Sequence, residues 1–445
     1  MKFPIWLMAV GIAASSCNKD VVSTSLHFYQ TYENIAGNAY AVDAVPIPSG
    51  FAIAALAGPN TWTYEPIILK TNQQGKTDTT WNYRTFYHFK SFRNFDMCVG
   101  LHPGTLIHDG AGALGVATYY NREKIPGFPR EMFAKIEFIN PYGAMDTCGK
   151  RNECQNWQID NGFTFEQGYI LDPNATRPAL CLNEYENTFE SLCFRATDSA
   201  LIYQTFNKTT GQQLTKTIIS TTVLSAASAV SGKLYLPSDK KDIEPYSLIH
   251  DHHGNVLFNA CMKTWEESQK IFTYSNLIFR IKAPINPTSP ELETMANYTI
   301  QLQDLSTDRI YGMIPENDTA ATVYPIALVS RLKEVRLAKG ESSADILAVF
   351  PGLDAGKRMQ LLHTPDKKYV YVLGSAIGGG ISIYRYLYGN YEKPISSVTH
   401  GSGINSAFSH ARVMANGDLI ICGNVTQFGV NTKPFLMRVG ADGQL

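Results

Sequence analysis

The stretch Asn416-Gly417-Asp418-Leu419-Ile420-Ile421-Cys422-Gly423, followed by Phe435-Leu436-Met437-Arg438 and then Gly443, decides the fold. A turn dipeptide opens it, and an apolar run of strand length ends at a glycine. A second apolar run carrying a basic residue then leads into another glycine turn. Short apolar runs bounded by Gly, Asn and Asp read as antiparallel strands joined by tight turns. The same order stands near the other end of the chain. There Ser49-Gly50 leads to Phe51 through Gly58, and Ile67-Ile68-Leu69-Lys70 runs into Gly75.

Between these two copies lie five more turn-plus-strand units. They are Asp109-Gly110 leading to Tyr120, Asn161-Gly162 to Gly168, Ser231-Gly232 to Leu236, Asp308 to Gly312, and Asp366 through Tyr369 and Val372 to Gly374. The second run recurs as Phe133 to Ile136 before Gly143 and as Tyr246 to Ile249 before Gly254. From Gly50 to Gly417 is 367 residues, a mean period of about 61, which suits one four-stranded unit with generous loops. The 24 Tyr and 22 Phe favour pleated surfaces over helices. Only Glu266 to Lys270 reads as helical, so the fold class is all-β. The unit resembles the β-propeller repeats of exported Bacteroidota proteins, most clearly at Ser49 to Phe86 and Met414 to Leu445. That resemblance implies a propeller of seven blades, with six or eight as the alternatives, and it specifies fold rather than function.

A Tyr-x-Thr-aromatic motif stands at Tyr29 to Tyr32, Tyr83 to Phe86 and Tyr203 to Phe206. In the first unit it follows the Gly75 turn, as an outer strand. The last unit has a third strand at Phe435 to Arg438 and no outer strand after it, whereas Leu26 to Tyr32 has no blade before it. Pairing the two closes the ring. Residues 26–445 are thus expected to form a single β-propeller domain closed by an N-terminal strand.

Ahead of that strand lie Lys2, an apolar run from Phe3 to Ala14, then Ser15, Ser16 and Cys17. This layout resembles a bacterial lipoprotein signal. It implies a signal peptide over 1–16, lipidation of Cys17 and a tether over 17–25. The expected location is the bacterial cell envelope, as an outer-membrane lipoprotein with surface exposure. The apolar run falls short of the ~20 residues that span a bilayer. A formal net charge of -1 gives no electrostatic reason to expect nucleic acid as a partner.

Chemistry is less legible. Seven cysteines remain besides Cys17, and the close pairs Cys148/Cys154 and Cys181/Cys193 are candidate disulfides in an oxidising compartment. His250-Asp251-His252-His253 has the residue types of a divalent-metal site. Its place before Gly254 matches the third-to-fourth-strand turn of the first unit, so exposed turn residues are expected instead and no metal is assigned. Glu184, Glu186 and Glu190 read as one solvated loop. Trp62, Tyr64 and Trp157 are candidates for stacking on sugar rings. Gly378-Gly379-Gly380 reads as a hairpin turn. Hydrolase-elbow, zinc-protease, P-loop and dinucleotide motifs are absent from the sequence, and no cofactor is expected. Two function classes stay open. One is a binding or scaffold module for a glycan, a peptide or an envelope protein. The other is a polysaccharide-cleaving hydrolase or lyase with its site at the central channel.

Overall fold

The computed structural model describes residues 27–35, 37–58, 65–78, 84–85, 96–108, 114–122, 131–139, 162–165, 180–185, 188–195, 200–207, 213–230, 233–234, 247–267, 271–301, 310–316, 325–331, 334–339, 345–427 and 431–445. After β1 (Phe28–Thr31), the first antiparallel sheet comprises β2 (Asn38–Ile47), β3 (Gly50–Gly58), β4 (Glu65–Asn72) and β5 (Arg84–Thr85). The second holds β6 (Asp96–His108), β7 (Leu114–Arg122), β8 (Glu131–Ile139) and β9 (Gly162–Phe165). The third holds β10 (Leu180–Tyr185), β11 (Thr188–Arg195), β12 (Ala200–Asn207) and β13 (Gln213–Ser220), and helix α1 (Thr221–Ser228) follows it. In the fourth, β14 (Lys233–Leu234) and β15 (Leu248–His250) both pair with β16 (Val256–Glu266), ahead of β17 (Ile271–Ile281) and β18 (Leu292–Gln301). The fifth holds β19 (Ile310–Ile314), β20 (Ile326–Arg331), β21 (Glu334–Lys339) and β22 (Asp345–Val349). The sixth holds β23 (Met359–His363), β24 (Tyr369–Ser375), β25 (Ile381–Leu387) and β26 (Ser396–His400). The seventh runs β27 (Ser406–Val413), β28 (Leu419–Gln427), β29 (Asn431–Val439), and β1 completes it.

Each sheet is a blade, and the protein is a β-propeller: the described residues form seven sheets, six of four strands and the fourth of five, whose innermost strands touch in sequence and return from β27 to β2. Phe28 pairs with Arg438, Tyr29 with Met437, Gln30 with Leu436 and Thr31 with Phe435. This is the pairing read from the two ends of the chain.

The apolar runs are continuous because the strands are buried on both faces. Phe51, Ile53 and Ala55 of β3 pack with Ile420, Cys422 and Leu436 of the seventh blade, whereas Ala52, Ala54 and Leu56 pack with Leu106 and Leu114 of the second. On β28, Leu419 and Ile421 turn the other way, toward Tyr371 and Leu373 of the sixth. Each fully buried Leu or Ile contributes roughly 1.5–3 kcal/mol, so the seams between blades form the core.

Three of the seven turn-plus-strand copies fall at other places than second strands. Asn161-Gly162 opens the outer strand β9, Ser231-Gly232 precedes the inner β14, and Asp308 precedes the inner β19. Likewise Tyr203 to Phe206 lies in the third strand β12, and Ile249 belongs to the inner β15. Blade-to-blade connections also use glycine turns, which a turn signal alone cannot separate. Second strands begin 74 residues apart at Leu114 and Thr188 but 43 apart at Ile326 and Tyr369, so a mean period hides unequal blades. Glu266 closes β16 instead of opening a helix, and the helix present is α1. Its N-cap Ser220 accepts the Val223 N–H at 3.3 Å, and Leu224 is its buried residue. Eight residues are too few to show a helical period.

Candidate functional site

Two polar clusters form where inner strands of different blades meet. The first centres on Asp43, which is 0% exposed. Bulges at Ala41/Asp43 in β2 and Phe408/His410 in β27 bring Asp43, His410 and Arg412 together. The Asp43 Oδ2 accepts the Leu106 N–H of β6 at 2.8 Å and an Arg412 Nη2–H at 2.7 Å, while Oδ1 accepts the Ala44 N–H at 2.7 Å. Arg412 Nη2 also donates to Leu106 O at 2.7 Å. Gln360 of β23 accepts the Ala411 N–H at 2.8 Å through Oε1, so its amide nitrogen is the donor toward His410 Nε2 at 3.1 Å. This assigns the proton to Nδ1, which lies 2.8 Å from Asp43 Oδ1. Burial pushes the Asp43 carboxyl upward, but Arg412 and His410 more than reverse this and hold it far below the usual carboxylate range. For His410, burial lowers the imidazole pKa and outweighs the pull of Asp43. Burial likewise pushes the nearby Cys422 thiol up, so it stays protonated and inert. The cluster ties blades six, seven, one and two together and leaves Asp43 no lone pair for a substrate proton.

The second cluster is the histidine turn. It joins the first strand of the fourth blade to the second, from β15 to β16, not the third to the fourth as the spacing suggested. The turn is stabilised from within: Asp251 Oδ1 accepts the His253 and Asn255 N–H groups at 2.8 and 3.0 Å, and Oδ2 accepts Asn255 Nδ2–H at 2.7 Å. His250 is not an exposed turn residue. Its side chain is 8% exposed, and Nε2 lies 2.6 Å from Glu190 Oε2 of the third blade. Glu190 is equally misjudged as a loop residue: it sits in β11 at 2% exposure. Tyr203 OH donates to its Oε1 at 2.8 Å and Asn183 Nδ2 to its Oε2 at 3.2 Å. Burial and then Glu190 push the Tyr203 phenol up, which keeps it a donor. The Tyr185 ring stacks on the His250 imidazole, centroids 3.7 Å apart. His252 points elsewhere. Lys367 Nζ of the sixth blade donates to its Nδ1 at 2.8 Å, which assigns Nε2–H as donor to Glu316 O of the fifth at 2.7 Å. The His250 and His252 imidazoles turn to different blades, and among the described residues no group of three His, Cys, Asp or Glu is placed to hold a metal.

Cys17, Trp62, Tyr64, Cys148, Cys154 and Trp157 lie outside the described residues. The β10–β11 register sets the Cys181 backbone opposite Leu192 and that of Cys193 opposite Leu180; their side chains lie outside those described. Gly378, Gly379 and Gly380 form the β24–β25 turn with φ of 85°, 98° and 93°. Asp43, His410 and Arg412, which sequence reading missed, and Glu190, which it placed in a loop, share one signal. Each is a charged or titratable group inside a strand pattern, where burial requires a partner.

No family model matches the chain, and no curated protein matches it. Among solved structures it is similar to the β-propeller domain of the Trilobed protease from Pyrococcus furiosus, with 10% identity, TM-score 0.41 and coverage of 92% of this chain and 96% of that one. It is also similar to the Dos1 propeller, with 10% identity, TM-score 0.40 and coverage of 92% and 94%. A third similar structure is the BP39L lectin from Burkholderia pseudomallei, with 7% identity, TM-score 0.39 and coverage of 92% and 97%.

Proposed function

We propose that this chain is a lipid-anchored β-propeller of the bacterial cell envelope, tethered through Cys17, that acts as a binding or scaffold module for a glycan, a peptide or a partner protein. The observation that carries the reading is how two buried carboxylates at the seams between blades are used. Asp43 and Glu190 are both filled by donors from their own and neighbouring blades. A general acid or base must keep a proton or a lone pair in reach of the substrate, and these two spend theirs on holding blades together. The ring is therefore suited to presenting loops on a rigid frame. The hydrolase or lyase reading needs a reactive pair outside these two clusters.

The test is gel retardation of the purified protein in a panel of soluble polysaccharides, run beside assays for new reducing ends and for unsaturated products. The expected outcome is retardation by at least one polymer, or capture of an envelope peptide or protein, with no product released. Product formation that tracks the protein through purification would move the assignment to the enzyme. Metabolic labelling with a fatty-acid analogue checks the anchor: Cys17→Ala should abolish incorporation, and equal labelling of both chains removes the lipoprotein reading.

A further inference from the structure

We propose that the anchored ring rests on the bilayer by the side that carries the turns between first and second strands, with the sixth-blade edge Lys367, Lys368, Leu387, Lys393 and Ile395 against an anionic lipid surface. The inference rests on the Cys17 anchor proposed above and adds to it an orientation and a contact surface.

The chain enters the ring on one identifiable side. His27, one residue before β1, lies with Nε2 3.7 Å from Asp418, in the turn between β27 and β28. Its ring also abuts Gly440, which follows β29. Entry is therefore on the side of the first-to-second-strand turns. His27 stands ten positions after Cys17, a span of at most about 36 Å even when fully extended. That length holds this side within reach of the membrane.

That side also carries an apolar and basic surface. From His27 the structure is continuous through the 440–443 turn, because Tyr371 OH donates to Ala441 O at 2.8 Å and Ser396 Oγ to Asp442 O at 2.9 Å. The Tyr388 N–H donates to Lys368 O at 3.0 Å and ties the loop after β25 to the turn after β23. This loop exposes Leu387 at 44% and Ile395 at 49%. Lys368 and Lys393 beside them are exposed, and Arg385 stacks on the Tyr369 ring at 3.8 Å. Lys367, Lys368, Lys393 and Arg385 stand against Asp366, Glu392 and Asp442, a small cationic excess. Aliphatic side chains flanked by lysines, whose stems lie along apolar surface while the ammonium stays wet, suit the headgroup boundary of a bilayer. The opposite side carries Ile377, 65% exposed, in the β24–β25 turn. In this orientation Ile377 faces away from the membrane.

The experiment uses full-length lipidated protein in vesicles of phosphatidylethanolamine with roughly a quarter phosphatidylglycerol, the anionic component that attracts basic side chains. A fluorescent amino acid is encoded at position 395 or, in a second sample, at 377, and quenching by headgroup-labelled lipid is read. Position 395 should be quenched several-fold more than 377, and Lys367→Glu with Lys368→Glu and Lys393→Glu should bring the two together. Equal quenching in protein whose Cys17 is shown by mass spectrometry to carry lipid overturns the orientation alone. Protein without lipid on Cys17 overturns the anchor and the orientation with it. Shielding of position 395 from aqueous iodide in the Cys17→Ala protein in detergent-free buffer, together with a dimer by light scattering, shows a second copy on this surface and also overturns the proposal.

Discussion

Asp43 shows what one buried charge does in this ring. It carries its ionised carboxylate at zero exposure because donors from three blades converge on it. Breaking a buried ion pair from one side costs about 3–5 kcal/mol, since the remaining charge stays buried without its partner. Asp43→Asn and Arg412→Met should therefore both lower the urea midpoint strongly, and Arg412→Met the more, because it leaves the fully buried carboxylate without its guanidinium whereas Asp43→Asn leaves an arginine that is partly exposed. The pH dependence follows from the two directions of shift. The folded-state pKa of Asp43 is depressed, so its stabilisation is full above the unfolded value of about 3.9 and is lost as pH falls through that range. His410 is also depressed, so below about 6.5 the unfolded chain binds a proton that the folded chain does not. Stability should fall in two stages on acidification, and His410→Gln should diminish the upper one, to which His363, also depressed by burial, contributes the remainder. A urea midpoint unchanged between pH 7 and pH 5.5 in the parent protein would contradict this account.

At the scale of the element, β1 is the strand on which closure depends. Its ladder to β29 is reinforced by Tyr29 stacked on Phe435 with centroids 5.1 Å apart. The Tyr32 OH donates to Gly75 O at 2.8 Å and its N–H to Pro434 O at 3.0 Å. Gly75 is required there, because a Cβ would stand 2.2 Å from the Phe28 ring. Deleting 26–32 removes ladder bonds worth roughly 0.5–1.5 kcal/mol each and exposes β29, so a lower melting temperature and aggregation should follow. Gln30→Cys with Leu436→Cys should crosslink under oxidation, and Gln30→Cys with Phe435→Cys should not. This pairing was legible because one end of the chain lacked a strand that the other end supplied. The runs of β3 and β28 were legible because both faces are buried and glycine turns bound them. The fourth blade was not: its inner strand is split into β14 and β15 around residues 235–247, so its only turn-like landmarks sat at the wrong strand. The candidate clusters were illegible for a related reason. Asp43 and His410 are 367 residues apart in sequence, and only closure makes them neighbours.

Across the whole molecule, apolar clusters of described residues fill the seams from blade three round through blade seven to blade two, and polar clasps add to the seams near the inner strands. The Asp43 clasp spans blades six to two. The histidine turn reaches blades three, five and six from the fourth. The seam between blades three and four is the informative one, because there the inner strand of the fourth blade is interrupted and Glu190 and His250 bridge it. If that pair is a clasp, its two halves should be energetically coupled. Glu190→Gln and His250→Ala, singly and together, should then give a coupling of about 1–3 kcal/mol in a double-mutant cycle. The loss should also be local. Amide exchange should rise in β10, β11 and β15 while β27 and β28, at the other side of the ring, keep their protection. A metal or substrate role for His250 makes a different prediction, in which the variants lose ligand response with little change in stability. Additive effects, or exchange that rises equally in all seven blades, would show that apolar packing alone holds this seam and that Glu190 and His250 are merely adjacent.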